Sequence, residues 1–175
     1  WFISGVTVTG TVGLGTVGAD WQIVGAADFD GDHVADILWR HDTGTLALWH
    51  GTGGTGQGRA VIGSVDMSWR IAGLGDFDGD GKSDILWRNG STGENYVMTM
   101  NGATPTANGS YTVSVPSPWT VAGTGDFDGD GKADILWKDG SGITAIWFMN
   151  GTTISSSAGI ANVGPNWNVQ TAGAN

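Results

Sequence analysis

The sequence predicts an all-β fold of tandem four-stranded units of propeller-blade type, forming an incomplete or open ring. Three observations carry that prediction. The chain has 32 glycines in 175 residues, and each glycine inside a helix costs about 1 kcal/mol relative to alanine, which argues against long helices. A tryptophan opens a similar segment at Trp21, Trp69, Trp119 and Trp167, at intervals of 48, 50 and 48 residues. A period near 50 with strand-like contents belongs to propeller blades rather than to helical solenoids. Finally, an aspartate-rich loop lies between two short runs rich in Val, Ile and Trp, and it occurs three times.

The period divides the chain into the end of a preceding repeat (1–18), repeat one (19–66), repeat two (67–116), repeat three (117–164) and the start of a further repeat (165–175). Within a repeat, a first strand such as 69–73 enters the aspartate loop, and a second strand, Ile85 to Arg88, leaves it with its apolar residues buried. Asn89-Gly90-Ser91-Thr92-Gly93 and Asp139-Gly140 are hairpin signals. The third strand alternates around Tyr96, Met98 and Met100, or Ala145, Trp147 and Met149, and ends at Asn101-Gly102 or Asn150-Gly151. Asn-Gly is a preferred hairpin turn, so the sequons at Asn89, Asn108 and Asn150 are read first as turns. The fourth strand, Tyr111 to Val115 or Ile154 to Ala158, is polar enough for an outer edge. Repeat one is shorter here, with Leu48-Trp49-His50-Gly51 and then a glycine-rich stretch to Gly58.

Both ends are partial repeats. Trp1-Phe2-Ile3-Ser4-Gly5 matches Trp147-Phe148-Met149-Asn150-Gly151, and Trp167 to Gly173 begins a unit again. Propellers have about four to eight blades, so three cannot close a ring. An unpaired strand edge is a template for another chain. Two readings stay open: a piece of a longer repeat protein, or head-to-tail self-association through the open ends, giving a ring or a filament according to whether the rotation closes.

The loops read Asp28-Phe29-Asp30-Gly31-Asp32-His33-Val34-Ala35-Asp36, Asp76-Phe77-Asp78-Gly79-Asp80-Gly81-Lys82-Ser83-Asp84 and Asp126-Phe127-Asp128-Gly129-Asp130-Gly131-Lys132-Ala133-Asp134. Carboxylates fall at positions 1, 3, 5 and 9. Each pair of such charges at ~4 Å repels by about 4 kcal/mol at an intermediate effective dielectric, so the loop calls for a cation. Hard oxygens at alternate positions, with glycine at position 6 to turn the chain, are what Ca²⁺ selects. Three calcium sites are expected: Asp28, Asp30, Asp32, Asp36 and the Val34 carbonyl; Asp76, Asp78, Asp80, Asp84 and the Lys82 carbonyl; Asp126, Asp128, Asp130, Asp134 and the Lys132 carbonyl. His33 replaces the position-6 glycine in the first, which is expected to bind more weakly. An EF-hand is excluded, because position 12 is Trp39, Trp87 or Trp137 rather than glutamate and the flanks are strands rather than helices.

With its Trp-x-Val-x-Gly-x-Gly-Asp-Phe-Asp-Gly-Asp-Gly-Lys-x-Asp-Ile-Leu-Trp unit, the chain resembles the FG-GAP or VCBS repeats of integrin-like β-propellers, in their bacterial version. The resemblance covers nearly the whole chain. It implies a four-stranded blade with Ca²⁺ between the first two strands, in a secreted or surface protein.

Charge and hydropathy remove other classes. The formal charge is −10, but 12 of the 16 aspartates lie in the three loops, and three Ca²⁺ ions would leave −10 + 6 = −4. No basic stripe offers phosphate contacts, which argues against nucleic acid. No apolar run approaches the ~20 residues that cross a bilayer as a helix, so no membrane insertion is expected, and no signal-peptide pattern is read. Exposed loops of this type suit the calcium concentration outside cells, where modules with dissociation constants of about 10⁻⁴ to 10⁻³ M are saturated. An extracellular, secreted or cell-surface location follows.

Phe29, Phe77 and Phe127, at position 2 of the loops, are expected to point into the core, as are Trp39, Trp87 and Trp137. Trp49 and Trp147 serve equally well as core or as sugar-stacking platforms. No catalytic constellation is read: the paired carboxylates lie in the metal loops, Glu94 is the only glutamate, and His33, His41 and His50 form no spaced zinc pattern and read as surface residues. The expected function is a calcium-stabilised structural, adhesive or self-assembling scaffold. The alternatives are a calcium-dependent lectin binding glycans, or a targeting domain of a secreted enzyme; surface proteins are further candidate partners.

Overall fold

The computed structural model describes residues 2–4, 7–10, 13, 16–51 and 58–169, among which there is no helix. Expectations for Trp1, Gly5, 52–57 and 170–173 concern positions outside these. Strands β1 (Phe2–Ser4) and β2 (Thr7–Gly10) form an antiparallel hairpin. Three open four-stranded antiparallel sheets follow. The first contains β3 (Trp21–Ala27), β4 (Asp36–His41), β5 (Thr45–Trp49) and β6 (Arg59–Ser64). The second contains β7 (Trp69–Gly75), β8 (Asp84–Asn89) and β9 (Asn95–Met98), with β12 (Ser110–Tyr111) at its edge and a small hairpin, β10 (Met100–Asn101) and β11 (Thr104–Pro105), set apart. The third contains β13 (Thr120–Gly125), β14 (Asp134–Lys138), β15 (Ile143–Asn150) and β16 (Thr153–Asn162). Strands run across each sheet in chain order, so each aspartate loop joins its first strand to its second.

The same irregularity recurs in every first strand: the ladder slips between Ile23 and Gly25, between Ile71 and Gly73, and between Val121 and Gly123. Such a bulge increases local twist and bends the strand. The glycine that follows lets neighbouring first strands approach closely. A Cβ on Gly73 would lie 2.3 Å from Thr124 Cγ2, and one residue further along Thr124 Oγ1 donates to the Leu74 carbonyl at 2.7 Å.

The core lies between sheets rather than within one. Phe29, Leu38, Leu46 and Leu48 of the first blade pack on Ile85, Trp87 and Met100 of the second. Phe77, Leu86 and Val97 of the second pack on Ile135, Trp137 and Met149 of the third. Fully burying one such side chain is worth about 1.5–3 kcal/mol, so each seam is a main source of stability. Being covered on both sides, β8 buries nearly every residue instead of alternating.

Each seam is also fastened by a cation on the second strand. Arg40 donates to the carbonyls of Trp69 (2.7 Å), Val65 and Asp66 (both 3.1 Å), and its guanidinium lies 5.2 Å from the Trp87 ring centroid. Arg88 repeats this one blade on, donating to the carbonyls of Val115 (2.7 Å) and Trp119 (2.9 Å) with its guanidinium 5.1 Å from the Trp137 ring centroid. It also binds Gly93 O and Asn95 Oδ1. Lys138 takes the third position, donating to the carbonyls of Pro165 and Trp167. Hydrogen bonds from charged groups are worth about 1.5–3 kcal/mol each and are not additive. Arg88→Ala is expected to lower urea-measured stability by roughly 2–4 kcal/mol, and Arg88→Lys by less, since lysine serves at the third seam. A loss within about 0.5 kcal/mol, the range of an ordinary surface change, would contradict the fastening role.

Three expectations need correction. Phe29 and Phe77 are fully buried, but Phe127 is 44% exposed. The residues that complete the burial of Phe29 and Phe77 come from the following blade, and the described residues include no such blade beside Phe127. Trp87 and Trp137 are core, whereas Trp39 is half-buried for the mirror reason, at the seam in front of blade one. Trp49 and Trp147 are half-buried, with ring centroids 4.8 Å and 4.9 Å from Trp39 and Trp137. The strand expected over Tyr111 to Val115 is reduced to Ser110–Tyr111. The β10–β11 hairpin diverts the chain, and beyond it Thr112 N–H and Val113 O are held by the Asn95 carbonyl and side chain.

Candidate metal centres

The loops fold on their own carboxylates. The position-1 aspartate accepts from the N–H groups at positions 4 and 6: Gly31 and His33 on Asp28 (2.7 and 2.8 Å), Gly79 and Gly81 on Asp76 (2.7 and 2.8 Å), Gly129 and Gly131 on Asp126 (2.7 and 3.0 Å). The position-5 aspartate accepts from position 7, where Val34, Lys82 and Lys132 stand. Drawing both N–H groups onto one carboxylate turns the backbone to positive φ at position 4, with Gly31 at 82°, Gly79 at 81° and Gly129 at 84°. Position 6 follows, with Gly81 at 84°, Gly131 at 86° and His33 at 66°. His33 is the only non-glycine with positive φ among the described residues. A side chain in this region costs roughly 1–2 kcal/mol, partly offset by the greater chain entropy glycine loses on folding. His33→Gly is thus expected to stabilise by on the order of 0.5–1 kcal/mol, read as a raised denaturation midpoint with unchanged m-value.

Position 9 is the junction of the blade. Asp36, Asp84 and Asp134 are fully buried. One oxygen of each accepts from the position-2 phenylalanine N–H: Phe29 on Asp36 (2.9 Å), Phe77 on Asp84 (2.9 Å), Phe127 on Asp134 (2.8 Å). The other accepts from the third-strand side: Gly51 on Asp36 (2.8 Å), Met100 on Asp84 (2.8 Å), Met149 on Asp134 (2.9 Å). One carboxylate therefore ties loop, second strand and third-strand segment together. Burial pushes the Asp84 carboxyl up to about 7 in the ion-free protein, and raises Asp36 and Asp134 in the same direction. Burial and the neighbouring Asp80 raise Asp78. By contrast the Gly131 N–H, first among several backbone donors, holds Asp126 below the ordinary carboxylate range.

Asp76, Asp78 and Asp84 each bring an oxygen within 4.8 Å of the others, as do Asp126, Asp128 and Asp134. All-oxygen donors gathered by a preformed loop fit a hard cation such as Ca²⁺. Asp80 and Asp130, expected at these two sites, lie instead toward Lys82 and Lys132, with N–O distances of 3.1 and 3.7 Å. The two lysines lie over the preceding loop, where a Cβ on Gly31 or Gly79 would meet the Lys82 or Lys132 stem at 3.5 and 3.3 Å.

The first loop gathers differently. Asp28, Asp30 and Asp32 form one group within 4.8 Å, while Asp30 and Asp36 form another with His50. The surface reading is corrected for His41 and His50, whose side chains are each only 20% exposed; His50 Nδ1 lies 3.0 Å from Asp30 Oδ2 and 3.4 Å from Asp36 Oδ1. The reason for His50 lies in its place on the chain, one residue before Gly51, whose N–H binds Asp36. His33 stays exposed beside Asp28, and the half-buried His41 binds Asp20 Oδ2 at 2.7 Å.

Loops also bind the next blade directly. Ser83 N–H donates to the Asp28 carbonyl (2.7 Å) and Gly102 N–H to the Phe29 carbonyl (2.8 Å). Ala133 N–H to Asp76 (2.6 Å) and Gly151 N–H to Phe77 (3.0 Å) repeat the pattern.

Tandem antiparallel blades whose first hairpin carries an aspartate-rich loop, sealed to one another by equivalent contacts, define a β-repeat module. Comparison with family models agrees: the FG-GAP-like repeat matches residues 28–87 and 76–137, each span running from one aspartate loop to the second-strand tryptophan of the next blade. The chain belongs to this family. No curated protein matches it.

Proposed function

We propose that the chain is a calcium-stabilised, non-catalytic scaffold that works outside the cell as a structural, adhesive or self-assembling module. The observation that carries this reading is the position-9 aspartate: a buried carboxylate already holding two parts of the blade and facing two further carboxylates in the second and third loops. Asp76, Asp78 and Asp84, and Asp126, Asp128 and Asp134, would hold the ions, which neutralise charge the fold would otherwise bear alone. Binding energy then becomes folding energy. The millimolar calcium outside cells supports the location. Among the described residues no helix is long and apolar enough to cross a membrane. Calorimetric titration of the chelated chain tests the reading: dissociation constants of about 10⁻⁴ to 10⁻³ M are expected, and absence of heat and of bound calcium would refute it.

Self-association through the open faces belongs to the same reading. Phe127 stands exposed where Phe29 and Phe77 are covered by a following blade, and Trp39 stands half-covered at the other end of the row. A second copy would offer its first blade to Phe127 and its third blade to Trp39. Light scattering in calcium should report particles larger than one chain, and a single-chain mass would remove this part of the proposal.

One observation favours glycan binding as a second reading. A cavity of about 250 Å³ lined by Val17, Trp21, Trp39 and Trp49 recurs one blade on, at about 140 Å³, lined by Val65, Trp69, Trp87 and Tyr96. Aromatic walls suit a sugar ring, and a glycan array with calcium distinguishes the two readings.

A further inference from the structure

The first loop is not a copy of the other two. The third-strand position that is Thr99 in the second blade and Phe148 in the third is His50 in the first, as the strand registers Ile37 with Trp49, Ile85 with Met98 and Ile135 with Trp147 establish. The imidazole lies beside Gly58 of its own blade and Gly102 of the next. Its Nδ1 is buried and makes no hydrogen bond, although two carboxylate oxygens, from Asp30 and the fully buried Asp36, lie 3.0 and 3.4 Å away. An oxygen-loving ion gains nothing from a ring nitrogen at its centre. Imidazole with two carboxylates is instead a donor set for zinc-class transition ions. Position 6 departs as well, for His33 holds there a backbone conformation that glycine holds in the other two loops.

We propose that Asp30, Asp36 and His50 form a site for a divalent transition-metal ion of the zinc class, so that the chain carries two oxygen-only calcium loops and one mixed nitrogen and oxygen centre. Asp28 and Asp32 adjoin the site, since both bring an oxygen within 4.8 Å of one on Asp30. The inference rests on the loops being cation sites but separates from that reading, because it concerns which ion the first loop prefers. The position of His50 gives the ion a structural consequence: it would join loop and third strand of blade one beside the turn of blade two.

Cobalt(II), added to the full chain in about 10 mM calcium to fill the oxygen-only loops, is the probe. One equivalent should bind with a visible absorption band typical of nitrogen ligation, and zinc should displace it. His50→Thr, which installs the second blade's residue, removes a direct ligand and should weaken cobalt binding by more than the roughly hundredfold that loss of an outer-shell partner costs, while leaving calcium uptake at the other loops intact. His33→Gly should leave the cobalt band unchanged. Should the threonine variant fail to fold, paramagnetic broadening in the unaltered chain decides: it should reach the His50 ring resonances first. Calcium uptake at three equivalent loops with no cobalt band overturns the inference and leaves the calcium reading standing. A band that persists in His50→Thr, or follows His33, overturns the assignment to His50. Binding of neither metal overturns both.

Discussion

Chelation of calcium is expected to lower the melting temperature of the chain by on the order of 10 °C. Ligand that binds only the folded state stabilises it by RT ln(1 + [L]/Kd). At about 10 mM calcium and the affinities of extracellular modules this is roughly 1.4–2.7 kcal/mol per site. The two oxygen-only loops together give about 3–5 kcal/mol, and for a chain of this size each kcal/mol moves the midpoint by roughly 2–4 °C. Scanning calorimetry with EDTA and with excess calcium measures the difference. Identical midpoints would mean that the carboxylates are satisfied by backbone N–H groups alone.

The second large effect is the pH dependence centred on Asp84. In the ion-free chain its carboxyl titrates at about 7 against 3.8 in its ordinary state, chiefly because it is buried. Between about pH 4 and pH 7 the unfolded chain has released this proton while the folded chain keeps it. The folded state then binds more protons, so stability falls as pH rises through that window. The shift corresponds to on the order of 4 kcal/mol, and Asp36 and Asp134 act in the same direction. Asp126, shifted downward, contributes with the opposite sign and only below about pH 4. A bound cation favours the ionised form, so calcium should stabilise more at about pH 7.5 than at pH 5. Asp84→Asn should flatten the ion-free profile, because the amide carries no proton to lose, while weakening calcium binding at the second loop. Melting curves in EDTA that climb between about pH 4 and pH 7, or that Asp84→Asn leaves unchanged, would show that burial of this carboxyl carries no such penalty.

Much of the fold was legible because it repeats. One Trp-x-Val-x-Gly segment is ambiguous, but the series from Trp21 to Trp119 fixed the unit, and the Asp-x-Asp-x-Asp pattern placed its loop. Less legible was whatever depends on the neighbouring blade. Phe127 has the same local sequence as Phe77 and differs only in what lies beyond it, which no window of residues expresses. The cation after the second-strand tryptophan was visible as Arg40, Arg88 and Lys138, yet its acceptors are carbonyls about 30 residues away with no side-chain signature. His50 follows no ligand spacing along the chain, because the cluster is assembled across strands, bringing residue 50 to residues 30 and 36. Position 4 is hidden for another reason: a calcium-loop pattern asks for a turn glycine at position 6, whereas two N–H groups bound to one carboxylate at positions 4 and 6 place both residues in the left-handed region.

The backbone bonds from Ser83 and Gly102 to the first loop, and from Ala133 and Gly151 to the second, make these two aspartate loops part of the next blade's docking surface. If the loops hold calcium as proposed, occupancy of one would be felt along the row. A filled loop would present its carbonyls rigidly to the adjoining sheet, which in turn would hold its own loop in shape. The molecule would then behave as a nearest-neighbour lattice rather than as beads on a string, responding to falling calcium over a narrower interval than isolated hairpins would.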